Sequence, residues 1–248
     1  SDSAIDSLYD EFVRGNEQTT NLGKNYEIRT VANEILEVED TPEENVLLSR
    51  FLWKYANIKG LTDQNTPNVI LYGPPGTGKT YAVKNSLNFL CQGDTSRYIF
   101  VQFHPSFTYE DFIEGIKPKG VTKDGNIKFE LVDGIFKRFC KKAKQNMDKE
   151  YYFVVDEINR ANLSSVFGET LLCLEKDYRH NGKNNENLVK TQYSSLIEDM
   201  IKDDEANKSL AYHLVENENG YNAYFGVPSN IYFIGMMNDV DKSIDAFD

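Results

Sequence analysis

At 248 residues the chain has room for one large α/β domain with a sizeable core, or for one and a half domains. Its 27 basic and 39 acidic residues give a formal charge of −12, which argues against a broad nucleic-acid-binding surface but allows a local basic loop. The three cysteines, Cys91, Cys140 and Cys173, show no C-x-x-C spacing, and His104, His180 and His213 are isolated, so reduced core thiols are expected rather than a disulfide framework or a metal site.

In chain order, residues 1–25 open with one short amphipathic pattern (Ile5, Leu8, Tyr9, Phe12, Val13) and continue as a polar stretch. They are expected to be a leader or linker. Thr41-Pro-Glu-Glu44 has the form of a capping box with proline at the first helical position. The helix it opens places Leu48, Phe51, Leu52, Tyr55 and Ile58 on one face. Val69-Ile-Leu-Tyr72 predicts a buried strand, and Val83, Leu87 and Leu90 recur at helical spacing after it.

Between that strand and that helix lie Gly73, Pro74, Pro75, Gly76, Thr77, Gly78, Lys79 and Thr80, which fit G-x-x-x-x-G-K-[ST]. The glycines let backbone N–H groups turn inward, and a helix N-terminus adds positive potential for phosphate. Lys79 is expected to reach the β- and γ-phosphates, with the Thr80 hydroxyl on Mg²⁺ and Tyr81 completing the nucleotide-binding segment.

Three more apolar runs predict buried strands: Tyr98 to Phe103, Tyr151 to Val155 and Ile231 to Gly235. Helical patterns at Gly134–Lys144 and Leu163–Lys176 separate them, so a parallel sheet with helices on both faces is expected. The aromatics between Phe103 and Gly115 are expected to pack a loop and short helix onto the sheet. No Lys or Arg lies among them to meet phosphate. Lys117 to Leu131, with Lys-Asp-Gly125 at its centre, predicts a hairpin. Residues 178–229 are long, polar and acid-rich, with one weak helix near Ser194–Lys202, and predict a surface insertion.

The strand Tyr151 to Val155 ends in Asp156 and Glu157. There Asp156 can hold Mg²⁺ through water, and Glu157 can polarise an attacking water. The last strand runs into Met237 and Asn238, with Asp241 three residues on. In a sheet whose ligands bind at its carboxyl ends, Asn238 can orient that water, and Asp241 can accept a hydrogen bond from it or fix Asn238.

With these pieces together, the chain resembles the AAA+ family of P-loop NTPases. Within it, the chain resembles the McrB subunits of McrBC-type modification-dependent restriction systems. The resemblance runs from about Val69 to the end. It rests on Gly73–Thr80, on Phe103 to Gly115, on Asp133-Gly-Ile-Phe136, on Asp156-Glu-Ile-Asn-Arg-Ala-Asn162, on Val166 to Glu169, on Leu174 to Asp177 and on Met237 to Ser243.

The resemblance implies a nucleotide-binding core over 26–248 and a ring, usually hexameric, with nucleotide between subunits. It further implies GTP as substrate in preference to ATP, Mg²⁺, a McrC-like nuclease subunit, DNA as a partner of the complete assembly, and a cytoplasmic setting. No membrane partner is expected. It assigns Glu157, Asn238 and Asp241 to catalysis and Thr80 and Asp156 to the metal. Arg160 lies in the same motif, either facing a neighbouring subunit or tying down the local turn. Asp239, Val240 and Lys242 depart from the family's Met-Asn-Thr-Ala-Asp-Arg-Ser. The insertion at 178–229 is longer than the family's, and the family pattern continues past Asp248 into an arginine-rich segment, a fifth strand and a helical lid. Three alternatives stay open: an ATP-using remodelling protein of the MoxR kind, a nucleotide-dependent scaffold, and a small-molecule kinase. The last gives no reason for the Asp156–Asn162 run.

Overall fold

The computed structural model describes residues 41, 66–76, 78–183 and 185–238. The expected leader and the helix after Thr41 lie outside the described residues, as do Thr77 and Asp241. The described residues divide into two compact units, 76–98 in one and 66–75 with 99–238 in the other. In chain order the elements are β1 (Asn68–Gly73), α1 (Lys79–Leu90), β2 (Tyr98–Gln102), α2 (Tyr109–Phe112), β3 (Glu114–Val121), β4 (Ile127–Asp133) and α3 (Ile135–Lys144). They continue with β5 (Tyr151–Asp156), α4 (Leu163–Phe167), α5 (Ser194–Asp203), β6 (His213–Asn217), β7 (Gly220–Tyr224) and β8 (Ile231–Asn238).

The four expected strands form one sheet in the order β1-β8-β5-β2. β8 pairs in parallel with both β1 and β5, so their carboxyl ends lie together. Burial is unbroken over Tyr151–Val155 and over Ile231–Met236. Successive buried residues mean both faces of those strands are covered, the usual state of parallel strands. β1 is different. Its burial alternates, and Ile70 and Tyr72 are exposed where the apolar run predicted a buried strand. The physical reason is its place at the edge of the sheet order.

One sheet face carries Tyr151, Phe153, Val155, Ile231 and Phe233 into the main core. Against them lie Phe112 of α2, Phe136 and Phe139 of α3, and Phe167 of α4. Phe112 and Phe136 stack at 4.7 Å, and Phe136 meets Phe153 edge-on at 4.8 Å. Burying each such ring stabilises the fold by about 1.5–3 kcal/mol. The expectation that α2 packs its aromatics inward holds: Tyr109 and Phe112 are buried, and a capping box between Thr108 and Asp111 starts the helix.

α3 follows the 3.6-residue period, with Phe136, Phe139, Cys140 and Ala143 buried. Lys141, Lys142 and Lys144 fill its last turn, where the helix dipole favours cations. Gly134 caps it, and a Cβ there would lie 2.3 Å from the Phe112 carbonyl carbon. β3 and β4 form the expected antiparallel hairpin. Its base is fixed by a buried ion network in which Lys137 pairs with Glu114 and with Asp133, and Lys141 also pairs with Asp133.

Two expectations differ in detail. The helix predicted over 163–176 stops at Phe167 and continues as a 3-10 segment, Gly168–Leu174. Gly168 takes φ +51°, outside the right-handed helical region, and the Tyr109 ring lies 3.2 Å from where its Cβ would be, so the helix breaks at a residue without a side chain. The polar run 178–229 holds α5 where a helix was expected. It also holds the unexpected β6–β7 hairpin, and it sends Tyr212, Phe225 and Val227 into the main core. Arg179 is buried too. It donates from Nη2 to Asn68 Oδ1 at 2.6 Å and from Nε to the Leu174 carbonyl at 2.9 Å, which ties the start of β1 to this segment. Burial lowers its pKa to about 10.

In the smaller unit, α1 buries Val83, Ser86, Leu87 and Phe89, so its inner face turns through Phe89 rather than Leu90. All three cysteines are buried free thiols.

Candidate nucleotide site

The chemistry at the sheet's carboxyl end starts from strand register. Gly73, the last residue of β1 and first of the phosphate-loop motif, pairs with Asn238, the last of β8. On the other side β8 pairs with β5 up to Val155↔Gly235, so Asp156 and Glu157 emerge beside Asn238. The Asn238 amide Nδ2 donates to Glu157 Oε1 at 2.6 Å, and Arg160 Nε donates to Oε2 at 3.2 Å. Both oxygens of that carboxylate are therefore engaged.

The local backbone explains the presentation. Glu157 takes φ +53°, a left-handed conformation rare for a residue with a Cβ. Its N–H donates to Asp156 Oδ1 at 3.0 Å, so one acid holds the turn that presents the other. Ile158–Arg160 then form a 3-10 turn, and Asn162 caps α4 by accepting the Ser165 N–H at 2.9 Å. Gly235 in β8 makes room for this turn, because a Cβ would lie 2.8 Å from Ile158 Cδ1. An interior glycine in a strand is a sequence signal for such close approach. The Asn159 amide is buried with neither end hydrogen-bonded among the described residues. Its place in the motif was visible in the sequence, but its burial was not.

Arg160 is about half exposed and ion-paired within its own turn to Glu157. Phe103 donates its N–H to the Asp156 carbonyl at 2.9 Å, so the segment after β2 also steadies this strand end.

In the smaller unit, Lys79 and Thr80 open α1. Gly78 precedes them at φ +77° and Gly76 at φ +75°, with open space where a Cβ would be. The N-terminus has no side-chain cap and no acid in its first turn. Left uncapped, its leading N–H groups fit an anion, with Lys79 beside them. Tyr81 is 74% exposed in that same turn. No group of three or more His, Cys, Asp or Glu side chains among the described residues is set to hold a metal. Mg²⁺ bound mainly through substrate phosphates and water needs few ligands from the protein.

A family model described as "AAA domain (dynein-related subfamily)" matches residues 68–247. The chain belongs to the AAA domain family. Among curated proteins, the Type IV methyl-directed restriction enzyme EcoKMcrB subunit of Escherichia coli (strain K12) is 39% identical over 183 residues, 73% of this chain and 32% of that protein. The Type II restriction enzyme BsuMI component YdiS of Bacillus subtilis (strain 168) is 24% identical over 201 residues, 73% of this chain and 53% of that protein. The chain thus spans about a third and about half of these two relatives. A solved structure of an ATPase from Cytophaga hutchinsonii aligns over 82% of this chain and 49% of its own at 14% identity, with a TM-score of 0.34 that adds nothing to the argument. The AAA fold and the resemblance to McrB subunits expected from the motifs are both borne out. No helix among the described residues is long and apolar enough to cross a membrane.

Proposed function

We propose that this AAA domain is the GTP-hydrolysing motor core of a McrBC-type restriction complex. It works in the cytoplasm as a ring, usually hexameric, with a McrC-like nuclease subunit, and couples hydrolysis to movement of DNA. The observation that carries the chemistry is the Asn238 amide on the Glu157 carboxylate, at the ends of adjacent parallel strands. Water attacks the γ-phosphorus in line as its bond to the β–γ bridging oxygen breaks and the nucleoside diphosphate leaves; Glu157 takes the water's proton, and Asn238 and Asp241 orient the water. Lys79 and the N–H groups of Gly76–Tyr81 hold the phosphates, with Gly73, Pro74 and Pro75 shaping the loop, while Thr80 and, through water, Asp156 would hold Mg²⁺. The restriction setting is supported by the two relatives, one named a methyl-directed restriction enzyme subunit and the other a restriction enzyme component.

The test is a titration of labelled GTP and labelled ATP, with Mg²⁺, against the chain and its Lys79→Ala variant. Preference for GTP that disappears with Lys79 is the expected result. Preference for ATP overturns the assignment and favours a remodelling AAA protein.

A further inference from the structure

The polar run 178–229 is fastened to α3 by ammonium groups. Lys141 Nζ donates to the carbonyls of Ser209 and Leu210 at 2.8 and 2.9 Å, and Lys144 Nζ donates to that of Tyr212 at 2.8 Å. These carbonyls lie on the chain entering β6, whose first residue is His213. The last turn of α3 therefore holds the start of the β6–β7 hairpin. That hairpin is a two-stranded sheet of its own, packed with α5 around a small cluster of Leu131, Ile197, Ile201 and Ala223. An element with so small a core opens more readily than the central sheet.

His213 completes the seam. Its Nδ1 lies 3.0 Å from Lys144 Nζ. An ammonium has protons to give and no lone pair, so Nδ1 is the acceptor. The ring proton then sits on Nε2, which donates to Asn185 Oδ1 at 2.9 Å. The contacts thus select one neutral tautomer. A second proton can go only to Nδ1. It turns the acceptor into a donor aimed at an ammonium, so the hydrogen bond is lost and two like charges face each other.

The surroundings do nothing to offset that charge. α3 presents Lys144, with Lys141 one turn before it. The His180 ring lies 5.3 Å away, with its Nδ1 2.9 Å from the Tyr212 hydroxyl. Tyr224 of β7 pairs opposite, and Asn185 is neutral. Among the described residues neither His213 nor Lys144 is paired with a carboxylate. We infer that this seam is an acid-released latch: protonation of the His213 ring parts it from Lys144 and lets the β6–β7 hairpin open while the four-stranded sheet stays folded. Release falls below about pH 6.5, because burial, then Lys144, then His180 lower the ring's pKa from its ordinary value. The open form takes up the proton more readily, so falling pH draws the seam open. The latch is independent of the nucleotide chemistry proposed above.

The test is amide hydrogen exchange of the 248-residue chain at about pH 7.5 and about pH 5.5, either side of the ordinary histidine value. Labelling times are scaled for the intrinsic effect of pH on exchange. The wild type, His213→Gln and Lys144→Gln are compared. Glutamine at 213 can still accept from Lys144 and donate to Asn185 without titrating, and glutamine at 144 removes the facing charge. In the wild type, peptides over 209–217 are expected to lose protection at least about tenfold in acid, relative to peptides over Tyr151–Asp156 and Ile231–Asn238. Both variants are expected to keep that protection. The His213 proton resonance, identified by its loss in His213→Gln, is expected to titrate at a higher pH in Lys144→Gln than in the wild type. Unchanged protection of 209–217 in the wild type overturns the inference, and so does equal loss across β5 and β8, which would be global unfolding. A titration midpoint that ignores Lys144→Gln overturns it as well. Should a variant fail to fold at neutral pH, the wild type's own comparison of 209–217 with the central strands still decides.

Discussion

Glu157 is held from both sides, by the Asn238 amide and by the Arg160 guanidinium. Each carboxylate oxygen has a second lone pair, so Glu157 can accept a water's hydrogen while keeping both partners. Glutamine keeps the shape and the acceptor oxygen but cannot take the proton. Glu157→Gln is therefore expected to keep nucleotide affinity and lose turnover by about 10²–10⁴-fold, checked by titration beside single-turnover hydrolysis. If turnover survives, the base lies elsewhere. Arg160 makes an exposed pair, and such pairs contribute about 0–1 kcal/mol. Urea unfolding of Arg160→Ala is expected to shift by no more than that. The acids and Asn238 were legible in the sequence because each ends an apolar run. Their meeting was not, since it depends on the register Val155↔Gly235 between β5 and β8, which no local pattern encodes.

At the scale of elements, the buried ion network decides how α3 meets the hairpin. Lys137 and Glu114 are both buried, and the second Glu114 oxygen has no partner among the described residues. Removing one charge of a buried pair strands the other. Lys137→Met is expected to cost about 3–5 kcal/mol by chemical denaturation, and Glu114→Leu/Lys137→Met to recover most of it. Equal losses in the single and double variants would mean the pair is not the source. The strands were legible because short apolar runs bounded by turn residues leave little choice. The break at Gly168 was not, because a single glycine inside a helical pattern is often tolerated. The β6–β7 hairpin did leave a signal: Asn217, Asn219 and Gly220 are turn residues around its two-residue loop Glu218-Asn219. Its strands, with few strongly apolar residues, hid it.

For the whole molecule, the response to acid follows from one corner of the larger unit. His213 is half-buried, its Nδ1 lies 3.0 Å from the Lys144 ammonium, and its ring lies 5.3 Å from that of His180. Burial, then Lys144, then His180 lower its pKa in the folded chain. Unfolded, it returns to about 6.5. As pH falls through that value the unfolded chain takes up the proton before the folded chain does, so stability declines with acid. Above about 6.5 both states are neutral at this residue and the effect is absent. Asp111, lowered chiefly by its hydrogen bond from Lys117, acts in the same direction but only in the acidic range of carboxylates. Between about pH 7.5 and 5.5 His213 therefore contributes a loss of stability toward acid. Melting temperatures across that range are expected to fall for the wild type and to fall less for His213→Gln, which keeps a polar group near Asn185 without the titration. Parallel slopes in the two proteins would place the sensitivity in other groups and leave His213 a spectator of the fold.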